Sequence, residues 1–287
     1  MPMKPFRLYE PTTIGETVST LRELGDGAKL YAGGTELLLA MKTGLLQYDG
    51  LVNVKQVPEL DGVAVEVGVL SIGAAATHAR VEHAGEVLAS FPLIAKVEHT
   101  VANVRVRNVG TLAGNLCFAE PHSDPGALLL LYDAAVDIAG PDATRSVGIE
   151  DLVVGPYETS LAGDELLTRV RVPGFPEGMQ GAYVKFGYHH RPTLGMGAAV
   201  RVVDGVFADV RLTLGSVSPT PLRLRGAEDA LRGERVDSAT AIAEAGRLAA
   251  EVCDAIDDLH GSAEYKRHLV SVFVGRALTE AIERGER

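Results

Sequence analysis

Two adjacent glycines, Gly33-Gly34, stand between a short apolar run, Lys29-Leu-Tyr-Ala32, and a run with helical spacing from Glu36 to Lys42 that ends at Gly44. Paired glycines let a chain leaving a strand turn sharply with no Cβ in the way. They also let consecutive N–H groups at the next helix start point at an anion. Leu51-Val-Asn-Val54 reads as the following strand, so the segment has the order and size of a parallel strand–helix–strand crossover. A phosphate or pyrophosphate fits such a turn. A connection chosen for geometry alone is the competing explanation, because a glycine pair is far less specific than a P-loop. No Walker A sequence occurs, and Gly195-Met-Gly197 lacks the third glycine of a dinucleotide fingerprint and runs into a strand.

A second segment has similar chemistry: Asn108-Val-Gly110-Thr111-Leu-Ala-Gly114-Asn115, followed by Cys117-Phe-Ala-Glu-Pro-His-Ser-Asp124-Pro. Small residues at 110, 113 and 114 permit close backbone approach, Thr111 and Asn115 supply short polar groups, and Asp124 can accept hydrogen bonds from a ribose. Two anion-cradling loops far apart in sequence are what a long diphosphate ligand requires. An ordinary glycine-rich loop, with Ser123 or Asp124 capping the next helix, is the alternative.

Around these loops the pattern changes along the chain. Thr13 with Glu16 is a capping-box signal, and Ile14, Val18, Leu21 and Leu24 follow helical spacing up to Gly25. Alternating runs at 63–67 and 69–72 suggest hairpins. Helices are expected at about 77–89 and 91–101, a polar glycine-containing loop from Asn103 to Asn115, a helix at 122–132, and strands at 135–138 and 165–172. The stretch 174–180, GFPEGMQ, has no periodicity and marks a domain boundary. Beyond it come strands at 182–186, 198–203 and 206–214, the last two joined by the hairpin signal Asp204-Gly205. Helices close the chain at roughly 226–233, 238–253 and 263–283. Strands followed by a helical cluster read as α+β.

Composition narrows the chemistry. The 287 residues include only two cysteines, Cys117 and Cys253, so neither a disulfide framework nor a thiolate metal site is indicated, and a reducing, cytoplasmic setting is the default. An iron–sulfur cluster generally needs four cysteine thiolates, which this chain lacks. A net charge of −11 opposes a large nucleic-acid interface, and no apolar run is long enough to span a membrane. The eight histidines show no H-x-x-x-H or H-E-x-x-H spacing, so no metal site is expected. His189-His190, in a polar loop between strands, is the pair with most functional potential. No signature of covalent catalysis occurs, and Asp257-Asp258 reads as part of a solvated helix face.

At the two loops the sequence resembles the FAD-binding medium subunit of the molybdenum hydroxylases, a family that includes aerobic carbon monoxide dehydrogenase and the flavin domain of xanthine dehydrogenase. The resemblance spans nearly the whole chain in order. It runs through YAGGTELLLAMKTG, LVNVKQVPEL, LSIGAAATHA, VRNVGTLAGNLCFAEPHSDPGALLLLYDA, DELLTRVRVP, GAYVKF and LTLGSVSPTPLR. It implies an α+β protein with a vanillyl-alcohol-oxidase/PCMH-type FAD-binding domain of two α/β subdomains. That domain is expected at 1–173, subdomains about 1–57 and 58–173, with a C-terminal α+β domain of antiparallel sheet and helices at 178–287.

The resemblance further implies that Ala32, Gly33, Gly34, Thr35, Glu36 and Leu37 hold the diphosphate, with Thr111, Ala113, Gly114 and Asn115 closing on it from the other side. It puts Asp124 on the ribose, Leu167 near the adenine and Lys185 near the flavin, with the segment Tyr188 to Leu194 bordering the isoalloxazine. FAD is expected to be non-covalent, since no histidine attachment signature matches. The family often has two glycines where this chain has Ala113-Gly114, so residue 113 is expected to keep a negative φ. Molybdopterin and [2Fe-2S] clusters would lie only on partner subunits, a large and a small one, in a dimer of heterotrimers. Electrons would pass from those clusters through FAD to quinone, NAD+ or oxygen. A free-standing FAD-dependent oxidase or monooxygenase, or a scaffold homologue that has lost the flavin, are the other functions compatible with the residues.

Overall fold

Thr13 opens the first helix as its spacing predicts: the side-chain oxygen accepts from the Glu16 N–H at 3.1 Å, while the Glu16 carboxylate reaches back to the Thr12 N–H at 2.8 Å. In the computed structural model, which describes residues 3–187 and 191–285, this helix belongs to the first of two units. One comprises Met1–Phe118 with Ala134–Pro173, the other Ala119–Asp133 with Gly174–Arg287.

The first unit begins with strand β1 (Arg7–Tyr9), helix α1 (Ile14–Leu24), β2 (Ala28–Tyr31), α2 (Leu37–Lys42) and β3 (Gly50–Asn53). The strands form a parallel sheet in the order β1-β3-β2, so the strand–glycine turn–helix–strand reading holds. Leu21, Ala28 and Val52 form its small core. Next come the hairpin β4 (Val63–Glu66) and β5 (Val69–Gly73), then α3 (His78–His83), α4 (Gly85–Ser90) and α5 (Pro92–Thr100). The single helix expected over 77–89 is therefore two. Ala84 is extended (φ −63°, ψ 128°), and Gly85, a poor helix former, does not carry the first helix through.

The polar segment 103–115 is mostly helical, against expectation. Asn103 accepts from the Arg105 and Val106 N–H groups and starts α6 (Val104–Arg107), and Thr111 starts α7 (Leu112–Phe118). Two side-chain caps substitute for the missing apolar period. After α8 (Asp124–Leu131), which belongs to the second unit, the chain returns through β6 (Ala135–Ala139), β7 (Thr144–Gly148), α9 (Ile149–Leu152), β8 (Val153–Gly155), β9 (Glu158–Thr159) and β10 (Leu166–Pro173). Strands β4-β5-β10-β6-β7 make an antiparallel sheet with β10 at its centre and a bulge between Leu167 and Arg169. Strand β7 escaped the sequence reading because its TRSVG is a polar, mostly exposed edge with no apolar alternation.

The second unit carries β11 (Met179–Phe186), β12 (Leu194–Val203), β13 (Val206–Gly215) and β14 (Leu222–Arg223), all antiparallel in that order. Asp204 (φ 51°) and Gly205 (φ 73°) form the expected two-residue hairpin turn. Strand β11 starts at Met179, inside the stretch read as irregular, because Met179 pairs with Arg201 and buries its side chain. Helices α10 (Arg225–Leu231), α11 (Ala239–Val252) and α12 (Ala263–Gly285) follow. Alternation divides the sheet into two faces. Leu194, Met196, Ala198 and Val200 of β12 join Ala245, Ala249, Phe273 and Val274 of the helices in one core. Gly197 and Gly215 face α8, where a Cβ would lie 3.2 Å from Leu131 Cδ2 and 2.9 Å from Ala127 Cβ respectively. All eight residues of α8 are buried, consistent with a helix that is apolar on every side after Asp124. No helix among the described residues is long and apolar enough to cross a membrane.

Candidate cofactor-binding site

The two glycine turns meet inside the first unit. A Cβ at Gly33 would overlap the Val109 carbonyl oxygen and sit 2.5 Å from Gly110 Cα, so the turns touch backbone to backbone, an approach open only to glycine. Gly34 adopts φ +67°, and a side chain there would run into the Tyr31 ring, which in turn lies under Lys55 Nζ at 4.0 Å. The Leu38 N–H donates to the Gly34 carbonyl at 3.0 Å and starts α2. From Ala32 to Leu37 every residue is half-buried.

On the facing segment the Thr111 hydroxyl accepts from the Gly114 N–H at 2.9 Å, and the Thr111 carbonyl accepts from the Asn115 N–H at 3.0 Å. Thr111 and Ala113 are buried, Asn115 is half-buried and Gly114 is exposed. Ala113 is helical, with the negative φ expected of it. A Cβ on Gly114 would meet Thr111 Oγ1 at 2.8 Å and no other atom. Thr35 Oγ1 lies beside Gly110, 3.5 Å from where a Cβ on that residue would stand. Ala32 to Leu37 and Thr111 to Asn115 are thus brought to one place in the fold. Leu167, by contrast, lies in β10 opposite Ile138, 2% exposed, in the interior of the sheet.

Asp124 and Lys185 are paired in the second unit, with Asp124 Oδ2 2.6 Å from Lys185 Nζ and Oδ1 accepting from the Tyr183 hydroxyl at 3.2 Å. Burial, and then the Asp124 carboxylate, push the Tyr183 hydroxyl well above its ordinary value, which keeps it a donor. Tyr188, His189 and His190 lie outside the described residues. The described part of that loop contributes Arg191, paired with Glu120 at 2.6 Å.

Sequence reading missed a second polar cluster in this unit. Asp258 is not part of a solvated helix face: its carboxylate binds Lys266 Nζ at 2.6 Å, and that lysine is 1% exposed. The His122 and His260 rings stack at 4.2 Å beside the pair. Burial alone would push the Asp258 carboxyl up, but Lys266 and the His260 N–H outweigh it and hold it down. No local spacing signals such a cluster, because His122 comes from the segment before α8, Asp258 and His260 from the loop before α12, and Lys266 from the first turn of α12. Among the described residues no group of three or more His, Cys, Asp or Glu could hold a metal ion.

The first unit thus holds a glycine-turn cradle suited to an anionic ligand, and the second an antiparallel sheet packed with helices. The chain belongs to the FAD-binding family of the molybdopterin dehydrogenases: the model for the FAD binding domain in molybdopterin dehydrogenase matches residues 4–175, and that for the CO dehydrogenase flavoprotein C-terminal domain matches residues 190–281. The carbon monoxide dehydrogenase medium chain of Hydrogenophaga pseudoflava is 32% identical over 278 residues, 96% of each chain. The xanthine dehydrogenase FAD-binding subunit of Escherichia coli O157:H7 is 28% identical over 96% of this chain and 95% of its own. The solved Hydrogenophaga pseudoflava carbon monoxide dehydrogenase lacking the Mo-pyranopterin moiety superposes with a TM-score of 0.95 at 33% identity, covering 99% of each chain.

Proposed function

We propose that the chain is the FAD-binding subunit of a molybdenum hydroxylase complex, in the cytoplasm, with molybdopterin on a large partner and [2Fe-2S] clusters on a small one. In this reading it accepts electrons from those clusters and releases them to a final acceptor, in a dimer of heterotrimers. The observation that carries the reading is the backbone contact of Gly33 with Gly110, which turns two distant segments into one cradle. Its walls are backbone and short side chains, the chemistry a diphosphate needs.

The residues then divide the work. Ala32, Gly33, Gly34, Thr35, Glu36 and Leu37 would hold the diphosphate on one side, and Thr111, Ala113, Gly114 and Asn115 on the other. Glu36 would act through its backbone, since its carboxylate repels an anion. Asp124, a carboxylate that can accept hydrogen bonds, would accept from the ribose. Leu167 would lie in the layer beneath the adenine, and Lys185 would stand at the flavin end, its charge kept in place by Asp124. When bound, FAD supplies the electron-transfer chemistry, while the protein binds and orients it without a covalent bond. Two free cysteines, Cys117 exposed and Cys253 buried, cannot ligate a cluster, so partner subunits are required.

The purified chain should show a flavin absorbance spectrum, or gain one when FAD is added, and should copurify with the two partners from its host. A colourless chain that takes up no FAD would overturn the reading. Turnover by the isolated chain would favour the free-standing oxidase instead.

A further inference from the structure

A buried ionisable pair stands directly behind the second turn. His78 Nδ1 and Glu98 Oε2 are 2.5 Å apart, with the side chains 3% and 1% exposed. His78 is the first residue of α3, and Glu98 lies on α5. The backbone of the same histidine reaches the cradle: its N–H donates to the Gly110 carbonyl at 2.9 Å, and its neighbour Thr77 bridges to Thr111. The imidazole also lies beside the cradle, with Cδ2 3.4 Å from the point where a Cβ on Gly110 would stand. Gly110 therefore has the His78 ring, Thr35 and Gly33 as close neighbours.

This pair is a poor device for stability. Glu98 Oε1 is buried with no hydrogen-bond partner, a cost that an apolar side chain of similar size would avoid. What the pair provides is direction. The Glu98 carboxylate fixes the first turn of α3 against α5, and that turn carries the N–H that holds Gly110. Nearby charges are engaged elsewhere: Glu82 of α3 pairs with His99 of α5 at 2.6 Å and with Arg107 of α6 at 3.0 Å.

We propose that His78, oriented by Glu98, is a positioning residue for FAD binding, fixing the Gly110–Thr111 turn at the spacing the diphosphate requires. The inference rests on the FAD reading above and deepens it. The test measures FAD affinity of the deflavinated full chain by flavin fluorescence, beside its thermal midpoint. His78→Phe keeps a ring but loses the tie, and should weaken FAD binding about tenfold or more, as loss of a supporting partner typically does. His78→Asn keeps a donor near the Nδ1 position and should restore affinity.

The decisive variant is His78→Phe with Glu98→Leu. It removes the stranded carboxylate, so its thermal midpoint should equal or exceed that of the parent chain while FAD affinity stays low. If affinity returns with the midpoint in that double variant, the pair is core filling and the proposal fails. The proposal fails equally if Glu98→Leu alone, in a folded chain, leaves FAD affinity unchanged. A parent chain that binds no FAD would instead overturn the cofactor assignment itself.

Discussion

Replacing Gly114 with alanine separates the cofactor cradle from the stability of the fold. Gly114 is exposed in the first turn of α7, and an added methyl would meet one atom, Thr111 Oγ1, at 2.8 Å. Two effects on stability oppose each other. Alanine gains about 0.8–1 kcal/mol over glycine in a helix, while displacing the Thr111 cap costs about 0.5–2 kcal/mol. The net change should fall within about 1 kcal/mol, a shift of a few degrees in thermal midpoint for a chain of this size. On the ligand side nothing compensates, because the methyl occupies the face where diphosphate oxygens would approach backbone. FAD affinity should fall at least about tenfold, or 1.4 kcal/mol. Isothermal titration of deflavinated protein with FAD measures the affinity, and a thermal melt of the same sample measures stability. An unchanged dissociation constant would refute the placement of the second turn, and a midpoint lowered by more than ten degrees or so would refute the separation from the fold.

Gly33→Ala should behave differently, since its Cβ collides with the Val109 carbonyl and Gly110 Cα rather than a movable side chain. Thermal melts should show a loss of about 1–3 kcal/mol, as for overpacked cores, together with lost FAD uptake. Lys266→Met removes a charge-assisted hydrogen bond to Asp258, whose carboxylate water still reaches, and should cost about 1–3 kcal/mol; urea denaturation measures it. Burial and the neighbouring His122 hold His260 below the ordinary histidine value. A histidine lowered in the folded state contributes stability that is complete above its unfolded value, about 6.5, and is lost as pH falls through the folded value. His260→Asn should therefore flatten the thermal midpoint between pH 7 and pH 5, and an unchanged slope would count against a role for the half-buried stack.

Local signals were legible wherever chemistry and geometry lie within a few residues. The Gly33-Gly34 turn, the Thr13 cap and the Asp204-Gly205 hairpin each carry their own cause, and each is found where the sequence puts it. The helices of segment 103–118 were not legible, because they start from the Asn103 and Thr111 caps rather than from an apolar stripe. Contacts spanning long separations left no local trace. The Gly33–Gly110 contact, the His78–Glu98 pair and the Asp258–Lys266–His122 cluster depend on how the sheets close. Leu167 illustrates the limit: its apolar character fits both a cofactor wall and the interior of β10 where it lies.

The second unit is stitched from two stretches, with α8 supplied by residues that precede β6 in the chain. A gene cut at codon 173 would hence not release two intact pieces. The downstream fragment would lack α8, leaving the glycine face of β12 and β13 bare, and the upstream one would carry an eight-residue apolar helix without its sheet. Supplying residues 119–133 in trans should rescue the downstream fragment. Moving either unit alone between proteins would therefore mean moving two stretches of chain rather than one.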